Sequence, residues 1–229
     1  LKKKYGVPDG KFTVFPNSVS LDSFGFNEQE RRAVRKELGI EDRFVLIYCG
    51  TVHPYQLPEE GVLFFKKLLE YAPESFFLAI TFSPEKVTEL LSKAGIMEKD
   101  YKVTKVRYTE VSKYLNAGDA GILLRVQNEY SKTSSPVKFP EYLSAGLCIL
   151  TLTGIGDATE FVRSHQAGLV LENTDERTLE QGARNLAQLK GRIQSSEEKL
   201  RISSLAASHF SQEAQIEEKF KCYQRLLEN

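Results

Sequence analysis

Apolar runs of strand length, separated by segments of helical periodicity, set the strongest constraint on this chain. Phe44–Cys49 (FVLIYC), Phe76–Phe82 (FFLAITF), Tyr101–Tyr108 (YKVTKVRY), Ala120–Leu124 (AGILL), Cys148–Leu152 (CILTL) and Leu169–Leu171 (LVL) recur along it. Between them the apolar spacing changes. Val62, Phe65 and Leu69 recur in Glu59–Tyr71, and Val87, Leu90 and Leu91 in Pro84–Lys93. Val111, Tyr114 and Leu115 do so in Thr109–Asn116, and Phe139, Tyr142 and Leu143 in Pro136–Ala145. These are the steps of one helix face. A strand that is apolar throughout needs cover on both faces, and alternating helices supply it. The pattern predicts an α/β domain built on a doubly wound, Rossmann-like parallel sheet of about six strands. A closed barrel would need about eight such units.

The ends depart from this pattern. The opening holds one short run, Phe12–Phe15, closed by Pro16-Asn17. The tail after Asn173 is helical and polar, with Leu179, Leu186 and Leu189 on one face of Thr178–Leu189. Ser211 is a suitable N-cap for a last helix with Glu213 in its first turn. In that helix Ile216, Phe220, Tyr223 and Leu227 form an apolar stripe that requires a partner. Packing on the chain's own sheet is expected to cover most of it. The break between body and tail is expected in Gln194–Lys199, which divides the chain into a segment 1–20, a body 21–193 and a helical tail 194–229. Leu1 in place of Met opens a basic run, Leu1-Lys2-Lys3-Lys4-Tyr5, as expected of a piece of a longer protein.

Composition excludes several classes. At 229 residues and 41% hydrophobic content, the chain can bury a core without disulfide or metal staples. Lys+Arg and Asp+Glu are both 31, so there is no overall positive field of the kind that draws nucleic acid. No stretch reaches 18 apolar residues, and no signal-peptide pattern opens the sequence. Cys49, Cys148 and Cys222 are odd in number and widely spaced, which suits a reduced, cytoplasmic setting rather than a disulfide framework or structural zinc.

In an open α/β sheet, ligands bind beyond the carboxyl ends of the strands. The first strand-to-helix loop begins Gly50-Thr51 and includes His53, a potential phosphate donor. The fourth strand is followed by Arg125 and then Thr133-Ser134-Ser135-Pro136, which reads as a helix start whose hydroxyls face a ligand. Lys138 in the first turn opposes the helix dipole unless an anion is near. Glu141, three residues on, shares its face, and its carboxylate can accept both hydrogen bonds of a ribose diol. Thr153-Gly154-Ile155-Gly156-Asp157 offers another close backbone approach. His165 and His209 read as surface residues. No metal-ligand spacing, nucleophile elbow or P-loop occurs.

Taken in order, these pieces resemble a family. Ser135–Gly146 (SPVKFPEYLSAG) is similar to the S-P-x-K-x-x-E-Y-L-x-x-G signature of group 1 glycosyltransferases of the GT-B fold. Val14–Val19 (VFPNSV) resembles their V-x-P-N-G-V interdomain segment. Gly118–Ile122 resembles their A-D-x-G-I strand entry, and Ile155-Gly156-Asp157 their I-G-D turn. The resemblance spans roughly residues 5–170. It implies the C-terminal, donor-binding half of a two-lobed enzyme that moves a sugar, with retention and without a bound metal or other cofactor, from a nucleotide diphosphate-sugar to an acceptor.

By that resemblance Glu141 takes the ribose hydroxyls. Ser134, Ser135 and Lys138 lie near the diphosphate, and Gly50, Thr51, Gly156 and Asp157, in loops that allow close backbone approach, are further donor-binding candidates. The backbone at Val106 and Arg107 reads the base. The resemblance further implies an acceptor glycan or lipid-linked sugar, and peripheral membrane association, both through the absent N-terminal half, in polysaccharide or glycoconjugate synthesis. Many members carry an Arg and a Lys in or just after the first loop to neutralise the leaving diphosphate. Here no cation occurs between that loop and Lys66, which leaves Arg125 and Lys138, then His53, as the catalytic cations. Thr133 stands where one variant of the family has an acidic residue. A nucleotide-sugar epimerase of the same fold and a non-catalytic nucleotide-sugar-binding or scaffold module are the alternatives.

Overall fold

The computed structural model describes Gly6 and residues 13–227. The basic run Leu1–Tyr5 and the beginning of Phe12–Phe15 therefore lie outside the described residues. After a short turn of helix α1 (Leu21–Phe24) comes α2 (Glu28–Leu38), capped by the Asn27 side chain. The central body then alternates. Its elements are β1 (Phe44–Cys49), α3 (Pro58–Tyr71), β2 (Ser75–Ile80), α4 (Pro84–Lys93), β3 (Tyr101–Thr104), α5 (Tyr108–Asn116) and β4 (Ala120–Leu123). It continues with α6 (Glu129–Lys132), α7 (Lys138–Ser144), β5 (Cys148–Leu152), α8 (Gly156–Ser164) and β6 (Gly168–Leu171). Three helices close the chain: α9 (Glu176–Gln194), α10 (Ser196–Phe210) and α11 (Gln212–Leu227).

The six strands form one sheet in the order β3-β2-β1-β4-β5-β6, with all pairings parallel. β1, β2, β4 and β5 are buried along their whole length, as runs apolar on both faces must be. The doubly wound α/β reading of the sequence holds. The order reverses between β1 and β4, and this switch point opens the crevice in which such sheets bind ligands.

Local chemistry sets the element ends. Pro58 and Pro84 occupy first helical positions of α3 and α4, where a missing N–H costs nothing. Asp175 caps α9 through the Thr178 amide at 2.7 Å, and the Ser195 hydroxyl caps α10. α7 is short for two reasons. Pro140 can sit only near a helix start, and Gly146 turns the chain at φ +70° with no room for a side chain, its Cβ position lying 2.7 Å from the Lys199 carbonyl. The Pro136–Ala145 reading is thus corrected at its start. Pro136 belongs to the preceding loop and Lys138 is the first helical residue.

Below the N-terminal end of β4 lies a charge cluster. Asp119 is fully buried; its carboxylate accepts from Arg31 at 2.6 Å, from Arg35 at 3.3 Å and from the Val45 amide at 2.8 Å. The Lys199 ammonium, also fully buried, lies 3.4 Å from the same carboxylate and donates to the Gly118 carbonyl at 2.8 Å. One side chain thereby ties α2, β1, β4 and α10 together. This explains the Gly118–Ile122 strand-entry motif: Gly118 and Gly121 leave room for Ile47 and Tyr142, which would meet a Cβ at 2.3 and 2.5 Å.

Other readings are corrected by the structure. The third run is strand only for Tyr101–Thr104, and Tyr108 already begins α5. α2 was hidden from periodicity because two of its inward positions, Arg31 and Arg35, are charged. The apolar stripe of α11 does not pack on the sheet. Ile216, Phe220, Tyr223 and Leu227 are 63%, 61%, 67% and 88% exposed. His209 is exposed and His165 half-buried, so the surface reading of both holds; their rings, 5.1 Å apart, also pack with Phe161 and Phe210. No helix among the described residues is long and apolar enough to cross a membrane.

Candidate functional site

At the switch point, the β1 loop and the β4 loop face each other. The end of β1 is held from below by Tyr142, whose hydroxyl accepts from the Cys49 amide at 2.9 Å. Above it the Tyr48 hydroxyl donates to the Thr51 carbonyl at 2.9 Å. The two loops are joined by a bond from the Val126 amide to the Tyr55 carbonyl at 2.9 Å. The Arg125 guanidinium lies over the Tyr55 ring, 5.6 Å from its centroid. Arg125 has no carboxylate partner among the described residues.

The segment from Tyr130 to Lys138 is folded on itself. The Thr133 hydroxyl donates to the Glu129 and Tyr130 carbonyls, and that of Ser134 to the Ser131 carbonyl. Gly156 is pressed against this segment at φ +43°, where a Cβ would meet the Ser134 carbonyl oxygen at 1.7 Å, so only glycine fits. The Ser135 hydroxyl donates to Asp157 at 2.8 Å and accepts from the Asn17 amide at 2.9 Å. Burial pushes the Asp157 carboxyl above its ordinary pKa, against the pull of Ser135 and nearby amides.

Lys138 and Glu141 meet at 2.5 Å. Glu141 is 3% exposed, and its partner Lys138 is the member of the pair that lines the cavity. Burial disfavours the Lys138 ammonium, but Cys49, once ionised at high pH, and Glu141 outweigh it and hold its pKa above the usual lysine value. Burial also pushes the Cys49 thiol up to about 11, so at neutral pH it is protonated and no nucleophile.

Between these loops is an open cavity of about 600 Å³, within the size range of small-molecule sites. The sheet order gives it two ends. On the β4 side stand Arg125, Lys138 and the Thr133–Ser135 backbone; on the β2–β3 side stand Ile80, Phe82, Val106, Tyr108 and Val111. A polar, cationic end next to an apolar, aromatic one suits a ligand with an anionic group and a flat ring. Among the described residues no acidic side chain lines this cavity, and no group of three or more His, Cys, Asp or Glu is placed to hold a metal ion.

Of the residues singled out in the sequence, Gly50, Thr51, Val106, Arg125, Ser134, Ser135 and Lys138 line this one cavity. Glu141 stands directly behind Lys138, and Gly156 and Asp157 stand behind the Ser134–Ser135 wall. Two do not line it. His53 is exposed and caps a single 3-10 turn, its Nδ1 accepting from the Tyr55 amide. Arg107 is exposed at the start of α5. Sequence reasoning missed Phe82, Tyr108 and Tyr130, exposed rings on the cavity wall. Phe82 and Tyr108 had been absorbed into the apolar runs.

No protein-family profile matches the chain, and no curated protein sequence does. Solved structures do match. WaaG, a glycosyltransferase involved in lipopolysaccharide biosynthesis, superposes with a TM-score of 0.69 at 18% identity over 94% of this chain and 58% of its own. Anabaena HepE, in complex with UDP and glucose, does so with a TM-score of 0.66 at 13% identity over 93% of this chain and 56% of its own. The C-terminal domain of the group 1 glycosyltransferase family protein LpcC from Francisella tularensis gives 0.61 at 14% identity. That comparison covers 85% of this chain and 99% of the LpcC domain. This is the fold of one GT-B half. The GT-B half seen here spans under three fifths of the length of WaaG and HepE, and nearly all of the LpcC C-terminal domain. At these identities the likeness is one of fold, and the chemistry has to be argued from the site.

Proposed function

We propose that this GT-B half is the donor-binding lobe of a glycosyltransferase that uses a nucleotide diphosphate-sugar. One observation carries the reading. At the switch-point crevice a buried carboxylate, Glu141, lies under a lysine, and an arginine without a carboxylate partner stands at the same cavity end. A diphosphate recruits both cations. Once Lys138 turns toward it, Glu141 is uncovered and takes the ribose hydroxyls as a charged acceptor. The base then reaches the Val106 backbone, with Arg107 at the rim and Phe82 and Tyr108 as apolar walls. Gly50, Thr51 and Ser134 give close backbone approach to the phosphates. Ser135, Gly156 and Asp157 shape that wall from behind. Arg125 and Lys138 offset the charge of the departing diphosphate, the electrostatic contribution that dominates such steps. His53 is at most an outer contact on the β1 loop.

Several features belong to the same proposal: retention at the anomeric carbon, no bound cofactor, a cytoplasmic setting, a part in polysaccharide or glycoconjugate synthesis, and an acceptor glycan or lipid-linked sugar on a second lobe. A GT-B reaction occurs in a cleft that orients two substrates, so the lobe alone is expected to bind donor without turning over. The exposed stripe on α11 suits docking on that second lobe. The UDP held by HepE supports UDP as the first nucleotide to test.

Glu141→Ala should raise the Kd for UDP by roughly 10- to 100-fold, since a hydrogen bond to a charged group contributes about 1.5–3 kcal/mol. Pyrophosphate, which lacks the ribose, should bind the variant within about threefold of wild type. Calorimetry on the 229-residue chain reads both. Equal UDP affinity in wild type and variant would rule Glu141 out as the ribose acceptor.

A further inference from the structure

The wall of the cavity is wired to the segment that precedes α1 and to the turn into α11. Asn17 makes two bonds to Ser135: its amide donates to the hydroxyl at 2.9 Å, and its side-chain Nδ2 donates to the carbonyl at 2.5 Å. The Ser135 hydroxyl proton is spent on Asp157 Oδ2 at 2.8 Å. It therefore points away from any ligand. The other Asp157 oxygen, Oδ1, is buried without a hydrogen-bond partner. Two residues after Asn17, Val19 is 4% exposed and bridges in parallel to Ser211. The Val19 amide donates to the Phe210 carbonyl at 2.8 Å, and the Gln212 amide to the Val19 carbonyl at 3.2 Å. The contact continues along α11, where Lys219 lies over the Phe15 ring at 5.7 Å. A path of hydrogen bonds, joined by the backbone from Asn17 through Ser18 to Val19, thus runs from Asp157 and Ser135 to the α10–α11 turn. It reaches a helix whose apolar stripe is uncovered.

We propose that Ser135 and Asp157 are positioning residues that couple the donor cavity to the segment Asn17–Val19 and to the turn into α11. Ser135 lies on the cavity wall and α11 starts at the other end of the path, so a ligand that orders the Thr133–Lys138 segment also orders Asn17–Val19 and the turn into α11. Only the ligand arm of this proposal rests on the donor-site reading.

Three amides report on the path: Asn17, Val19 and Gln212. Their hydrogen exchange is measured by NMR on the 229-residue chain. Ser135→Ala should speed exchange at Asn17 at least tenfold and at Val19 and Gln212 at least threefold, with α9 amides unchanged. Asp157→Ala should do the same. Ser135→Thr, which keeps a hydroxyl, should restore slow exchange and guards against a trivial folding defect. Saturating UDP should slow the three amides at least threefold in wild type and leave Val19 and Gln212 unmoved in Ser135→Ala.

Unchanged exchange at Asn17 in Ser135→Ala overturns the proposal. So does a change confined to Asn17, or UDP that binds wild type without slowing the three amides. Failure of wild type to bind UDP would instead count against the donor-site reading, and the ligand-free exchange would still decide this one.

Discussion

Asp119→Ala is expected to remove about 3–5 kcal/mol of folding stability, the range for breaking a buried ion pair by deleting one partner. In a domain of ordinary stability that is a large share of the total, so urea denaturation should show a much lower midpoint or no folded baseline. The reason is the imbalance of charge. Three cations, Arg31, Arg35 and Lys199, converge on one buried carboxylate. Without it they repel one another with no water to screen them.

The same imbalance sets the titration of the cluster. Burial works against the Asp119 anion, but Lys199, Arg31 and Arg35 outweigh it and hold its pKa below the usual aspartate value. Its contribution is therefore present at neutral pH and is lost as pH falls through that lowered value. Lys199 responds in the opposite sense. Burial first, and the two arginines beside it, push its ammonium down to about 8 despite the attraction of Asp119. Between about 8 and the ordinary lysine pKa near 10.4, the unfolded chain binds the extra proton and the folded one does not. Stability from this group therefore rises with pH across that window. The stability difference between wild type and Lys199→Met should move in favour of wild type from pH 8 to 10. A flat difference would show that Lys199 keeps an ordinary pKa in the fold.

Under the proposed function, Arg125→Ala is expected to lower sugar transfer by an enzyme carrying this lobe about 10²- to 10³-fold in kcat, the usual cost of deleting one preorganised charge stabiliser. Among the described residues, two cations line the cavity: Lys138 is tied to Glu141, whereas Arg125 is held by the Tyr55 ring and can turn its guanidinium to an anion. Arg125→Lys should recover only part of the loss, because an ammonium neither stacks on Tyr55 in the same way nor offers a two-pronged contact to phosphate. His53→Ala should leave kcat within about threefold. An unchanged kcat in Arg125→Ala would move the leaving-group role to another residue.

These two sites show what kind of information the sequence holds. The sheet was legible because strands buried on both faces must be apolar throughout, and helices between them must be amphipathic. The third strand was overrun because Val106 and Tyr108 continue the apolar alternation in a loop and a helix start, where the cavity rather than the core uses them. α2 escaped notice because Arg31 and Arg35 point inward to Asp119, so its buried face is not apolar. The α11 stripe was legible as a stripe. What covers it was not, because periodicity names a face and not its partner.

At the site, Lys138 and Glu141 were legible as a pair because helical spacing alone puts them side by side. The fate of the Ser135 hydroxyl was not. Its partners Asn17 and Asp157 are 118 and 22 residues away and meet it only through the fold. A serine before a helix reads locally as a ligand donor, and here the tertiary structure spends it on the chain itself.

The central claim is that the crevice between the β1 and β4 loops takes a nucleoside diphosphate with Glu141 and Arg125 as its polar contacts. Titration calorimetry of UDP into the 229-residue chain tests it most directly, with GDP and ADP as comparators. Saturable one-to-one binding of at least one of them is expected, weakened about tenfold or more in both Glu141→Ala and Arg125→Ala. Absence of binding by all three at millimolar concentration, in a chain shown to be folded, would contradict the claim and favour a scaffold role for this GT-B half.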